Sequence, residues 1–244
     1  RRETDAPLDF GAVGFEAAGV ALARPEGRDQ SRFSARMDWR ADAILDAGLA
    51  VGAFAAARGD FYSYLDDPTF DDGTEFRFAP LAGVEAFYPL IAHRPGGAAH
   101  LLEPGVQFVA APTNLTPDEI ANEDSQIVEF DEAGIFDLNR SPGYDRIESG
   151  TRINLGLRYS RVANDPLRID ASAGRVFRIT DDDAFAAGSG LDGDESDFVS
   201  GWTVSWGEWI SLSNRLRLSD SFAVNRNELR GAIDAGRIRL EGSY

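Results

Sequence analysis

From Thr151 onward apolar and polar side chains alternate one by one. Thr151, Ile153, Leu155, Leu157 and Tyr159 share one parity, and Arg152, Asn154, Gly156, Arg158 and Ser160 the other. A period of two sends successive side chains to opposite faces of a strand, so one face seeks hydrocarbon and the other water. The pattern recurs. Leu102, Pro104, Val106, Phe108 and Ala110 oppose Glu103 and Gln107, and Trp202, Val204 and Trp206 oppose Thr203 and Ser205. Ile210, Leu212, Leu216, Leu218 and Phe222 oppose Ser211, Ser213, Arg215, Arg217 and Ser219, while Ile238, Leu240 and Tyr244 oppose Arg237, Arg239, Glu241 and Ser243. Together these stretches predict about eleven strands, most of them roughly 9 to 13 residues long, against a usual length of about 5 to 6. Strands of that length can cross a bilayer.

The joints between strands alternate in length. Short ones fall at 45–48, 93–100, 163–166, 207–209 and 234–236, and longer ones at 24–31, 65–74, 111–150, 180–196 and 224–228. Outer-membrane barrels show this asymmetry, with tight periplasmic turns and extended outer loops. The predicted fold class is therefore all-β, an antiparallel transmembrane outer-membrane β-barrel. Residues 1–244 are expected to be a fragment of one such barrel domain, a curved open sheet with the 139–147 loop folded toward its concave side. Ile153, Leu155, Leu157, Leu216, Leu218 and Leu240 are expected to face lipid. Arg152, Arg158, Arg215, Arg217 and Arg239 are expected to face the lumen.

Composition narrows the class. Only 43% of the 244 residues are hydrophobic, and no run approaches the ~18 apolar residues of a transmembrane helix. A barrel places only alternate residues in lipid, so a polar average is compatible with a membrane. Acidic residues outnumber basic ones 41 to 24, for a formal charge of -17, which argues against a nucleic-acid partner. Every basic residue is arginine. There is no cysteine, hence no thiolate chemistry and no disulfide within this stretch. The two histidines, His93 and His100, flank a turn, and no hydrolase or zinc motif accompanies them. No catalytic residue, metal ligand or cofactor is predicted.

Between Ala111 and Thr151 the alternation gives way to turn-forming residues. The order Leu102-Glu103-Pro104 with Gln107, then Asp124-Ser125, Ile135-Phe136, Asn139 through Ile147, and Gly156-Leu157-Arg158 resembles the C-terminal barrel region of the LPS-assembly protein LptD family. Pro142 departs from that family's Ser-Gly approach to the motif. The resemblance implies transport of lipopolysaccharide to the outer leaflet of a Gram-negative outer membrane, without covalent chemistry. It also implies an LptE-like plug lipoprotein inside the barrel and a periplasmic LptA-like bridge reached through a domain outside this chain. The motif residues Asn139, Arg140, Gly143, Asp145 and Arg146 are expected to pin the loop, or to contact lipopolysaccharide or the plug. Glu103, Gln107, Arg152, Arg158, Arg215 and Arg217 are the luminal candidates. A general porin or substrate-specific channel would share the strand pattern, and a soluble β-sandwich binding module would instead bury its apolar faces between two sheets.

Overall fold

A computed structural model describes residues 11–66, 73–126, 129–180, 185–234, 236 and 239–244. The strands are β1 (Ala12–Leu22), β2 (Asp29–Ile44), β3 (Ala50–Leu65), β4 (Gly73–Phe87), β5 (Leu90–His93), β6 (Ala99–Ala111), β7 (Gly150–Val162), β8 (Leu167–Arg178), β9 (Phe198–Trp206), β10 (Ile210–Leu218), β11 (Val224–Asp234) and β12 (Arg239–Ser243). All belong to one antiparallel sheet whose neighbours follow chain order, with β5 as a side branch on β6. A single sheet has no second layer to pack against, which removes the sandwich reading.

Eleven strands lie on the main path and β5 makes the twelfth. The extra strand has a local cause. Pro89 has no N–H to offer, so the ladder breaks after Phe87 and resumes at Leu90, bridged by the Tyr88 N–H donating to the Pro104 carbonyl at 3.0 Å. A second difference lies between β10 and β11. The expected long joint at 224–228 is strand, and the chain instead reverses tightly at 219–223. A bulge shifts the register from Arg217↔Arg226 to Leu218↔Val224, and Phe222 sits in the turn at φ 59° rather than on a strand face. The other joints keep the predicted asymmetry. Among the described residues no ladder joins β1 to β12.

The faces divide as the alternation predicts. Leu155, Leu157, Leu212 and Leu240 are exposed on the convex side, as are Phe15, Phe33 and Phe108. Leu216 and Leu218 pair with Ser200 and Phe198 on that same face. The concave side is inverted relative to a soluble core: Arg32, Arg77, Arg152, Arg178 and Arg217 are buried there alongside Asp60, Gln107 and Asn154. Such an inside-out distribution is stable only where hydrocarbon lies outside and every buried charge finds a partner inside. The side chain of Arg239 lies outside the described residues.

Candidate functional site: a strap across the concave face

The described chain between β6 and β7, residues 112–126 and 129–149, leaves the sheet and folds back onto its concave face. Short local hydrogen bonds shape it. Glu119 accepts from the Thr116 N–H at 2.6 Å and closes a capping box around a single 3-10 turn, Pro117–Glu119. Asp131 caps the second 3-10 turn, Glu132–Gly134, by accepting from Ala133 N at 3.0 Å and Gly134 N at 3.3 Å. Asn139 binds the strap through both ends of its amide. Its amide donates to the Ser141 carbonyl at 2.9 Å, and its oxygen accepts from Glu148 N at 2.8 Å. Gly143 has φ 81°, and a Cβ there would lie 2.6 Å from Asp124 Oδ1, so this position requires glycine.

Two clusters of charge fasten this strap. In the first, fully buried Glu148 meets three guanidinium groups: Arg140 at 2.6 Å, Arg178 at 2.9 Å and Arg152 at 3.4 Å. One carboxylate against three cations leaves positive charge to be absorbed, and main-chain carbonyls absorb it. Arg140 donates to Gly134 O at 2.8 Å and Ile135 O at 2.7 Å, Arg152 to Leu138 O at 2.5 Å, and Arg178 to Leu191 O at 2.8 Å. Burial lowers the Arg140 pKa from its ordinary value, opposed by Glu148. In the second cluster Arg32, Arg58 and Arg77 meet Asp60, Asp124 and Asp145. Arg32 bonds Asp145 and reaches Asp124 at 2.9 Å, and Asp60 accepts from Arg58 and Arg77, each at 2.8 Å. The Tyr144 carbonyl takes Arg58 at 2.6 Å and Arg77 at 2.5 Å. The Tyr144 ring lies 4.8 Å from both the Arg32 and the Arg58 guanidinium carbons.

Between the clusters the strap rests on glycine. Gly105, Gly156 and Gly174 are direct cross-strand neighbours on β6, β7 and β8. A Cβ on Gly156 would come within 2.7 Å of the Phe136 ring, and one on Gly174 within 2.7 Å of Ile135 Cδ1. The three positions make a flat floor that lets Ile135 and Phe136 approach the backbone of the wall. Ile135 joins Phe130, Val176, Leu191 and Val199 in a buried apolar cluster, which ties the strap to the 179–197 loop.

The predicted motif residues thus converge: Asn139, Arg140, Gly143 and Asp145 hold the strap together, and Arg146 donates to the carbonyls of Pro117 and Ile120. The luminal candidates split into two groups. Gln107, Arg152 and Arg217 are consumed by the loops; Gln107 bonds Asn154 at 2.6 Å and the Phe136 carbonyl at 3.2 Å, and Arg217 bonds Ser189 O at 2.6 Å. Glu103 and Arg158 instead pair loosely at 3.5 Å, and Arg158 and Arg215 line a polar cavity of about 400 Å³ beneath the Glu132–Gly134 turn. The cavity floor carries Ser172, Thr203 and Ser213 from β8, β9 and β10. A second hollow of about 650 Å³ continues along β10–β12 and shares Ser213, Glu228 and Arg230 with it.

A long apolar-outside sheet, a charged inside and an Arg-pinned strap built on the Asn139–Ile147 motif now stand together. The family model described as LptD, LPS transport system D, matches residues 4–244. The chain belongs to the LptD family. That family acts in lipopolysaccharide transport and assembly at the Gram-negative outer membrane, and it is an outer-membrane barrel family. No curated protein matches the chain.

Sequence reasoning did not single out Glu148, Arg178, Arg32, Arg77, Asp60 or Tyr144. One signal was available for the cations. Arg32, Arg77, Arg152 and Arg178 all sit on the polar parity of their strands and near the ends that lead into or out of the longer joints, and Arg217 sits likewise beside the tight 219–223 turn. Nothing in the alternation shows that their acceptors come from one loop.

Proposed function

We propose that residues 1–244 are part of the wall of one LptD barrel and that the strap 112–149 closes the outer half of its lumen, leaving the cavity beneath as the polar surface that meets cargo. The observation that supports this reading most is the division of the luminal candidates. Arginines on the outer half are enclosed by the strap and the 179–197 loop, whereas Arg158, paired with Glu103 at 3.5 Å, and Arg215, half-exposed and paired with Asp131 and Glu132 at 3.2 Å, line a hollow that also carries serine and threonine hydroxyls. Hydroxyls with flanking guanidinium groups suit phosphorylated sugar, because Arg binds phosphate through paired N–H donors. The same surface suits an LptE-like plug lipoprotein seated from the periplasmic side. An LptA-like bridge would deliver lipopolysaccharide through a domain outside this chain. No covalent step is required.

The test uses the full-length protein in a strain that depends on it. Arg158→Ala with Arg215→Ala is expected to lower delivery of labelled lipopolysaccharide to the cell surface and to weaken co-purification of the plug lipoprotein, with barrel assembly unchanged. Normal delivery and normal co-purification in that variant would overturn the luminal reading. A robust ion conductance with no lipopolysaccharide phenotype would favour the porin alternative.

A further inference from the structure

A loop that merely covers a lumen needs anchors near its own roots, here β6 and β7. The strap reaches four strands further on each side. Toward one end of the ladder, the Tyr144 hydroxyl bonds Glu16 on β1, and Glu123 accepts from Arg24 and Arg28 in the β1–β2 connection. Toward the other, Asp131 and Glu132 pair with Arg215 on β10, each at 3.2 Å, and Glu129 pairs with Arg226 on β11. Between these extremes it bonds β2 through Arg32, β3 through Arg58, β4 through Arg77, β6 through Gln107, β7 through Arg152 and β8 through Arg178.

The ties are graded. Those in the middle are buried: Arg77, Arg152 and Arg178 expose 4% or less of their side chains, and Asp145 and Glu148 none. Those at the extremes are more open to water, with Arg215 at 49%, Arg226 at 38% and Arg24 at 37%. Exposed ion pairs are weak and screened by salt, while buried pairs are not.

We infer that the strap is a brace that sets the spacing between β1 and β10–β11, with Tyr144 as its pin on β1 and with solvent-exposed end ties that release before the buried centre does. Tyr144 suits this role because its ring is clamped between Arg32 and Arg58 while its hydroxyl alone reaches β1. The centre then stays fixed to β2–β8 while the flanking strands swing outward, so the width of the lumen responds to ionic conditions. This goes beyond closure of the lumen, and it stands whether or not Arg158 and Arg215 meet cargo.

Nitroxide labels at Val13 on β1 and Leu229 on β11, both lipid-facing and exposed, report the spacing by pulsed dipolar spectroscopy on the full-length protein in bilayer discs. The unmodified strap is expected to give one narrow distance distribution at low salt that shifts to longer distance and broadens at high salt. Tyr144→Phe combined with Glu129→Gln and Glu132→Gln should produce the long, broad distribution already at low salt. A sheet-side set, Glu16→Ala with Arg226→Gln, leaves the strap sequence intact and should give the same shift. A distribution that both sets leave unchanged, at either salt concentration, would overturn the brace.

Discussion

The two charge clusters solve one problem in different ways. Arg32, Arg58 and Arg77 face three carboxylates, Asp60, Asp124 and Asp145, so guanidinium and acid are matched and the Tyr144 ring adds an aromatic face. Arg140, Arg152 and Arg178 share the single carboxylate of Glu148, and carbonyls of the two loops take up several of the remaining donors, though buried Arg178 Nε has no hydrogen-bond partner among the described residues. Counting charges would call the first stable and the second impossible. The second is possible because arginine presents five N–H groups in a planar fork, so a folded loop that aims carbonyls at it replaces missing anions with dipoles. Such an arrangement depends wholly on the loop's conformation, and it concentrates the charge balance in one residue.

The largest expected effect follows from that concentration. Glu148→Ala leaves three buried guanidinium groups without their carboxylate, a loss of about 3 to 5 kcal/mol by comparison with broken buried pairs. Limited proteolysis should then cut within 112–149, and the unfolding midpoint in denaturant should fall. Asp145→Asn sharpens the contrast. Its remaining oxygen still accepts from Glu123 N and Asp124 N, and Arg32 keeps Asp124, so about 1 to 3 kcal/mol is expected from the same assay. If the two substitutions cost the same, the distinction between matched and unmatched clusters fails.

The ground between the clusters gives an intermediate effect. Gly156→Ala forces its new methyl against Phe136 and should cost about 1 to 3 kcal/mol through overpacking, while Gly231→Ala, where the nearest atom is Leu212 Cδ1 at 3.7 Å, should be nearly neutral. Paired melting curves of the two variants check this.

The smallest effect is that of acid on the matched cluster. Burial raises Asp124, but the Tyr144 and Asp145 N–H groups and Arg32 outweigh it and hold the group below its ordinary range. A depressed carboxylate contributes stability above its unfolded pKa and loses it only as pH falls through the lower folded value. Burial drives Asp145 the other way, opposed by the Glu123 N–H and Arg32, so protonating it in mild acid removes no stability. The strap is therefore expected to keep its protease protection from neutral pH down to about pH 4, the ordinary Asp range, and to lose it below. Loss of protection near pH 6 would contradict this assignment of signs.

Most of the wall was legible in the chain itself. Alternation is a local property, and a strand with hydrocarbon on both outer neighbours and arginine between them has one way to face. That is why β6, β7 and β10 appear with the predicted faces, and why Leu155 and Leu240 lie outside. The misplaced joint at 224–228 and the uncounted β5 have local causes too, a bulge at the β10–β11 turn and the missing donor of Pro89, but a bulge leaves no trace in a polar-apolar pattern. The Asn139–Ile147 motif marked a shaped loop, and its turn chemistry is visible in Asn139 and Gly143. Only the tertiary structure decided what the loop is shaped around. Arg32, Arg77 and Arg178 come from strands far apart in sequence, and they meet Asp145 and Glu148 because the sheet brings β2, β4 and β8 under one loop. Hydrophobic periodicity acts residue by residue, whereas the pairing of a buried charge depends on which distant acceptor the folded geometry delivers.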